Sequence, residues 1–348
     1  MVNSIDDMPV GQINRFPASA RAANLILTAT SVGRLAGGDG GQASTQAYLR
    51  LLTSLANHGL TASSMIRLDH FTQSQGWLAA RQKARAACFG MPAPLASTGI
   101  ATPQERDCLL TVSGIALAEG EARLVAAGAE HNMPAIAAAV RGGPFLFISG
   151  ILSDGKGSAQ SQIEYCLRKI EDLLAMENLT PESLLRLDIF AESQEAVSRA
   201  VDVMRTRWPA ASFVTGGGPG LFEQEGQIEI NALALAGDTP KRIGANERWV
   251  AGGGLALSQS WELARGMPAP AMAEAFVELL QEEMKGMDLH PESLARLELR
   301  VPPEQVRVAR TVQMVGARLD PQSRPAVVTW IADAPPAVRA IVDLPAQP

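Results

Sequence analysis

One pattern is written three times in this chain. GLTASSMIRLDHFTQSQ begins at Gly59, NLTPESLLRLDIFAESQ at Asn178 and DLHPESLARLELRVPPEQ at Asp288. The offsets, 119 and 110 residues, exceed the roughly 20–50 residues of a solenoid unit and match whole small domains. Each copy opens on a cap-like turn, best formed at Thr180-Pro181-Glu182, with Thr as N-cap and Pro at the first helical position. Each then enters an alternating segment such as Leu185, Leu187 and Ile189, which predicts a half-buried strand.

The flanks repeat as well. Upstream of each copy, apolar residues recur at helical spacing: Tyr48, Leu51, Leu52 and Leu55, then Ile163, Leu167, Ile170 and Leu174, then Met272, Phe276, Leu279 and Leu280. Before each of these helices lies an apolar strand, and after each alternating segment comes a second helix, at 77–89, 194–208 and 304–319. Two apolar stretches close each unit. The order is strand, helix, strand, helix, strand, strand, with an extra short strand in front, an α/β (α+β) layout with both helices on one face of a mixed sheet. Three such units can cover each other's bare sheet faces around a pseudo-threefold axis, sheets inside and helices outside. Polar, turn-rich stretches at 119–128 and 236–246 mark the boundaries. The expected organisation is a tail over 1–20 and units over 21–122, 130–238 and 244–348.

Composition narrows the function. The formal charge is −6, so the chain lacks the basic field of a nucleic-acid binder. Arg81, Lys83 and Arg85, with Arg199, Arg205, Arg207, Arg307 and Arg310, read as solvated outer helix faces. No stretch reaches about 20 apolar residues, so no membrane span is expected. Two early acids and the lack of an apolar core in the first residues predict a chain without a signal peptide, hence a cytoplasmic one. Cys88, Cys108 and Cys166 lack C-x-x-C spacing and read as structural. His58, His70, His131 and His290 lack metal-ligand spacing, and His70, set against Ile189 and Glu298, reads as packing. GGDGG at 37–41 and GGGPG at 216–220 read as turns; neither has phosphate-loop order. No cofactor is expected. The five lysines occupy no equivalent positions, which argues against a Ser–Lys mechanism repeated in each unit.

The run GPFLFISGILSDGKG, the SLLRLDIF strand and the end WPAASFVTGGG…GQIEINALALAG resemble the RidA (YjgF, reactive intermediate deaminase) family. The likeness is strong in the middle unit, good in the first and weaker in the third. It implies a chorismate-mutase-like fold that normally assembles as a homotrimer, with clefts between neighbouring subunits that hydrolyse enamines and imines. This chain would then be a monomeric pseudo-trimer, or a dimer of it, acting on a small carboxylate-bearing substrate. The resemblance assigns the carboxylate-gripping arginine to Arg324, with Ala96 and Ala211 in the other units. It assigns the acid that handles water to Glu229, matched by Thr111 in the first unit and by no acid near 338–341. The small hydroxyl of the substrate site matches Ser149, with Thr28 and Gly252 as counterparts, and Gly252 and Gly253 would line a cleft. A cleft between the second and third units would join Arg324, Glu229 and Ser149. The expected activity is an enamine or imine deaminase. The alternatives are chorismatase-type cleavage on the same fold, or a ligand-binding pseudo-trimer without turnover.

Overall fold

The computed structural model describes residues 16–34, 39–73, 78–90, 95–105, 108–128, 137–219, 228–303 and 308–344. The first unit contains β1 (Ser19–Ala22), β2 (Leu25–Thr28), β3 (Ser31–Arg34), α1 (Gly40–Ala56), β4 (Met65–Thr72), α2 (Leu78–Phe89), β5 (Ala96–Ala101) and β6 (Cys108–Leu117). The second contains β7 (Ala122–Ala127), β8 (Ala137–Gly142), β9 (Phe145–Leu152), α3 (Ala159–Ala175), β10 (Leu184–Ala191), α4 (Gln194–Arg207), β11 (Val214–Pro219) and β12 (Ile228–Leu235). The third contains β13 (Lys241–Ile243), β14 (Trp249–Gly252), β15 (Leu255–Ser258), β16 (Trp261–Glu262), α5 (Ala269–Gly286), β17 (Leu294–Val301), α6 (Val308–Arg318), β18 (Ala326–Ile331) and β19 (Ala337–Asp343). This is the element order the pattern predicts. The polar stretches at 119–128 and 236–246 carry the edge strands β7 and β13.

Each unit builds its own sheet by the same rule. In the second, the order is β11-β10-β12-β9-β8-β7. All pairings are antiparallel except β10 with β11, the pair joined by a helix, as a parallel connection requires. β4 with β5 and β17 with β18 repeat this parallel pair. The three pattern copies start at a shared backbone feature. Gly59, Asn178 and Asp288 all adopt positive φ, at 72°, 55° and 57°, just beyond the first helix. Gly, Asn and Asp are the residues that tolerate this left-handed geometry. The turn that follows is a single 3₁₀ turn, over Pro181–Ser183 in the second unit; Thr180 stands at its N-cap without a side-chain capping bond.

Two of the glycine-rich pieces are not turns. Asp39 caps α1 by accepting from the Gln42 N–H at 2.9 Å, so GGDGG runs into a helix start, with Gly37 and Gly38 outside the described residues. Gly216 to Pro219 form most of β11 and pair in parallel with β10, with Gly220 outside the described residues.

The core has two levels. Each sheet packs one face on its own helices, as Ile148, Leu187, Ile189, Ile230 and Ala232 do against Ile163, Leu167, Ile170 and Leu174. The opposite faces meet in one shared core that takes Leu25, Leu27 and Ile66 from the first sheet, Phe145, Phe147 and Leu185 from the second, and Val250, Leu255 and Ile341 from the third. The middle strands are therefore covered on both sides. Every residue of β17 is buried, and the expectation of half-buried strands fails here. The alternation is real, but the polar alternates face other sheets rather than water. Arg67-Leu68-Asp69, Arg186-Leu187-Asp188 and Arg296-Leu297-Glu298 occupy equivalent registers, and their charged side chains meet between the sheets. Arg186 bonds Asp188 at 2.9 Å and Glu298 at 2.8 Å. Arg339 joins both carboxylates. The same register places Glu298 opposite Asp69 and Asp188, and pairs His70 with Ile189 and Leu299, which corrects the alignment of His70 with Glu298. Among the described residues no helix is long and apolar enough to cross a membrane.

Candidate active site between the first and second sheets

Glu229 lies in the middle of a polar seam where β9 and β12 of the second sheet meet β5 of the first. It stands on β12 opposite Phe190 of β10 and Leu152 of β9, only 5% exposed. Its carboxylate takes a hydrogen bond from the backbone N–H of Gly99 on β5. Room for it comes from Gly150, where a Cβ would fall 1.8 Å from Glu229 Oε1; no side chain fits there while the carboxylate holds this position. Burial pushes the Glu229 carboxyl up to about 8, against the opposing pull of the Gly99 N–H and the charges of Arg67 and Arg81. The group is an acid largely protonated at neutral pH.

The first unit supplies the rest of the seam. Arg81 on α2 is 8% exposed and interacts electrostatically with Glu229 and Tyr48. Burial lowers its pKa. Arg85, one turn on, donates to the Leu95 carbonyl at 3.2 Å, and burial takes its pKa down to about 10. His70 Nδ1 lies 3.3 Å from the Thr98 carbonyl, which can only accept, so Nδ1 carries the proton. His70 Nε2 then accepts from the Tyr48 hydroxyl, 3.0 Å away. Burial, with Arg81 and Arg85 nearby, holds the His70 pKa well below its ordinary value, and burial raises Tyr48 to about 12. Both are therefore uncharged at neutral pH. Asn231 Nδ2 donates to Thr98 Oγ1 at 2.9 Å, and Arg67 donates to the same oxygen and to the Ile148 carbonyl, both at 3.2 Å.

The residues singled out from sequence scatter over several places. Ser149 is in this seam, but its hydroxyl donates to the Ala137 carbonyl and accepts from the Ser97 N–H at 2.9 Å, fastening β5 to the second sheet. Arg324 is exposed, just ahead of β18. β18 faces the first sheet through Thr30, whose N–H donates to the Val327 carbonyl at 3.0 Å and whose Oγ1 accepts from the Thr329 N–H at 2.9 Å. The structure thus brings Glu229 and Ser149 together on the first sheet's β5, while Arg324 belongs to a strand that meets a different part of the first sheet. The strand registers match Ala96 with Ala326 and Val214, so Arg324 does not occupy the position of Ala96.

Gly252 and Gly253 end β14 and turn into β15. Their added Cβ atoms would lie 2.6 Å from Leu235 Cδ2 and 2.8 Å from Phe145 Cζ. They are packed against apolar side chains of the second sheet. The counterpart of Thr28 is Ser258 rather than Gly252: Thr28 Oγ1 accepts from the Gly114 N–H and Ser258 Oγ from the Ala340 N–H, each at 2.8 Å, and Gly114 and Ala340 share a register.

At the register of Glu229 the other sheets carry Thr111 and Ala337. The Thr111 hydroxyl has no hydrogen-bond partner. Arg81 and Arg85 correct the reading of their helix as solvated, since both are buried while Lys83 between them is exposed. Their i, i+4 spacing, which sets them on one helix face, was the available signal. Arg199 and Arg205 are exposed as expected; Arg307, the side chain of Arg310 and His131 lie outside the described residues. Burial raises the Cys108 thiol to about 11 and pushes the Cys88 thiol upward, which disfavours thiolate chemistry at either. Among the described residues no three His, Cys, Asp or Glu side chains gather as metal ligands.

No protein-family model and no curated protein matches the chain. Solved structures do. A chorismatase crystal structure is similar over 64% of this chain and 78% of its own, at 14% identity and a TM-score of 0.49. A member of the YjgF/YER057c/UK114 family from Mycobacterium tuberculosis covers 33% of this chain with 100% of its own, at 22% identity and a TM-score of 0.31. A YjgF-family protein from Neisseria meningitidis covers 34% with 98% of its own, at 19% identity and a TM-score of 0.30.

Proposed function

We propose that this chain is an enzyme acting on a small, carboxylate-bearing, electron-rich alkene, with an enamine or its imine tautomer as the preferred substrate and ammonia as product. The reading rests on one observation: Glu229 is a buried acid with a pKa of about 8, held by the Gly99 N–H and faced by the Arg81 cation. Its protonated form delivers a proton to the enamine β-carbon, which converts the C=C–N unit to an iminium ion. The resulting carboxylate then accepts a proton from water as the water oxygen bonds to the iminium carbon. Collapse of that adduct breaks the C–N bond: Glu229 gives its proton to the nitrogen, ammonia leaves, and the hydroxyl proton passes back to the carboxylate as the carbonyl forms, restoring the acid. Overall, one imine and one water give one ketone and one ammonia. A pKa near the working pH suits a group that must give and take a proton in one cycle.

Arg81 is the natural holder of the substrate carboxylate, because its planar guanidinium suits bidentate pairing. The side chains named around Glu229 come from the first and second units; the third sheet adds Val250, Leu255, Leu257 and Ile341 to the shared core, which supports reading the chain as a pseudo-threefold body. The same proton donor also fits a second substrate class, enol ethers of the chorismate type, whose cleavage begins with protonation of an alkene carbon.

The test is ammonia release from freshly generated 2-iminoacids, with chorismate consumption measured in parallel. Wild type should exceed the uncatalysed rate, and Glu229→Gln should lose about 10²–10⁴-fold. Arg81→Met should raise KM for carboxylate-bearing substrates most. A wild-type rate equal to the no-enzyme control on both substrates would sink the catalytic reading.

A further inference from the structure

The charged network between the sheets borders a small cavity of about 20 Å³, lined by Asp188, Glu298, Arg186, Arg296, Arg339 and Trp330 among others. That is room for one water-sized occupant. Two of the lining donors, Arg296 Nε and Trp330 Nε1, are buried and make no hydrogen bond, although Arg296 Nε lies 3.1 Å from Glu298 Oε1. These residues are 2% and 6% exposed. Buried N–H groups seldom remain without an acceptor, and two lining one cavity call for the same missing partner.

Charge decides what that partner is. Asp69, a further lining carboxylate, is neutralised by Arg67, 2.8 Å away. Arg186, Arg296 and Arg339 are then ion-paired with Asp188 and Glu298. Among the described residues, three guanidinium groups thus face two carboxylates, all of them largely buried. Burial also lowers the Arg296 pKa, the mark of a cation short of counter-charge. Trp330 is held in place: Phe71 stacks on its ring at 5.6 Å and Arg339 lies over it at 5.4 Å.

We propose that this cavity is a structural anion site for a single halide-sized ion, chloride in physiological buffers, accepting from Arg296 Nε and Trp330 Nε1 and completing the charge balance where the three sheets meet. The site borders the seam around Glu229, since Thr98 and Asn231 also line the cavity, but holding the ion requires no turnover at Glu229.

The experiment uses the full chain. Crystals grown in sodium bromide are examined for anomalous signal, and thermal unfolding is compared in sodium chloride and sodium gluconate at equal ionic strength. The expected result is a bromide peak in the cavity touching Arg296 and Trp330. Alongside it, chloride should raise the wild-type Tm by an amount on the order of 2 °C. Trp330→Phe keeps the ring and removes one donor, so it should lose that chloride-specific rise while remaining folded. Water density without anomalous signal overturns the proposal. So does a bromide peak without a chloride-specific shift, which marks an adventitious ion only, and so does an equal shift in both proteins.

Discussion

Glu298 on β17 accepts two hydrogen bonds from the guanidinium of Arg186 on β10, at 3.2 Å from Nη1 and 2.8 Å from Nη2, across the boundary between the second and third sheets. Arg339 closes on the same carboxylate. Arg296 stands beside it as well, its Nε 3.1 Å from Oε1, so one glutamate serves three largely buried arginines.

Removing that carboxylate should cost far more than any surface charge. Glu298→Gln leaves buried guanidinium groups short of a partner, a loss of about 3–5 kcal/mol. Arg199→Ala breaks an exposed i, i+4 pair with Glu195 and should change stability by less than about 0.5 kcal/mol. Urea unfolding of the two variants side by side measures the contrast, and equal effects would contradict a buried network.

The pH dependence has a definite sign. The Glu229 carboxyl is raised to about 8 in the folded protein, whereas an unfolded Glu titrates near 4.3. Between those values the folded chain binds the extra proton, so this group's contribution to stability is full below about pH 4.3 and lost as pH rises through about 8. Glu229→Gln, which stays neutral, should gain stability relative to wild type from pH 5 to pH 9. Denaturant midpoints across that range are the readout, and a constant difference between the proteins would refute the raised pKa.

Gly150 and Glu229 should behave as one unit. Gly150→Ala drives a methyl into the carboxylate and should destabilise by about 1–3 kcal/mol. In a Glu229→Ala background the obstruction is gone, and the same change should cost markedly less. A double-mutant cycle gives the coupling directly; strict additivity would mean that the two residues do not touch.

The shared core predicts that damage in one sheet is felt in all three. Phe147 is fully buried there, together with Leu257 and Ile341 of the third sheet. Phe147→Ala should cost about 3–5 kcal/mol and speed amide exchange in β15 and β19 as much as in β9. Protection lost only from the second sheet would point to three independent domains.

The fold was legible because helices and strands carry different periods, and the order of those periods recurs three times. The destination of the polar alternates was not. Arg186 and Asp188 alternate with Leu187 and Ile189 as residues of a solvent-facing strand would, and only the arrival of a third sheet makes that face an interior. The same limit applies to the site. The resemblance points to Glu229 through the run GQIEINALALAG, but the groups that face it depend on which edges of the units meet. Gly99 and Arg81 come from the first unit, far away in sequence. Arg324 is the residue the resemblance points to, yet it stands two residues ahead of Ala326, the register counterpart of Ala96. Ser149 has the right neighbours, but its hydroxyl is already spent on Ala137 and Ser97.

Glu229, Thr111 and Ala337 occupy one register in three sheets of a single chain. An assembly of identical chains has no such freedom: a codon changed once is changed at every interface together, so an alteration that improves one contact must be tolerated at all of them. Here each interface is encoded separately. The acid can be kept where Gly99 and Arg81 face it, the threonine can stand where the neighbouring sheet is already fastened by Thr30, and the alanine can fill a third position, each open to change without altering the other two.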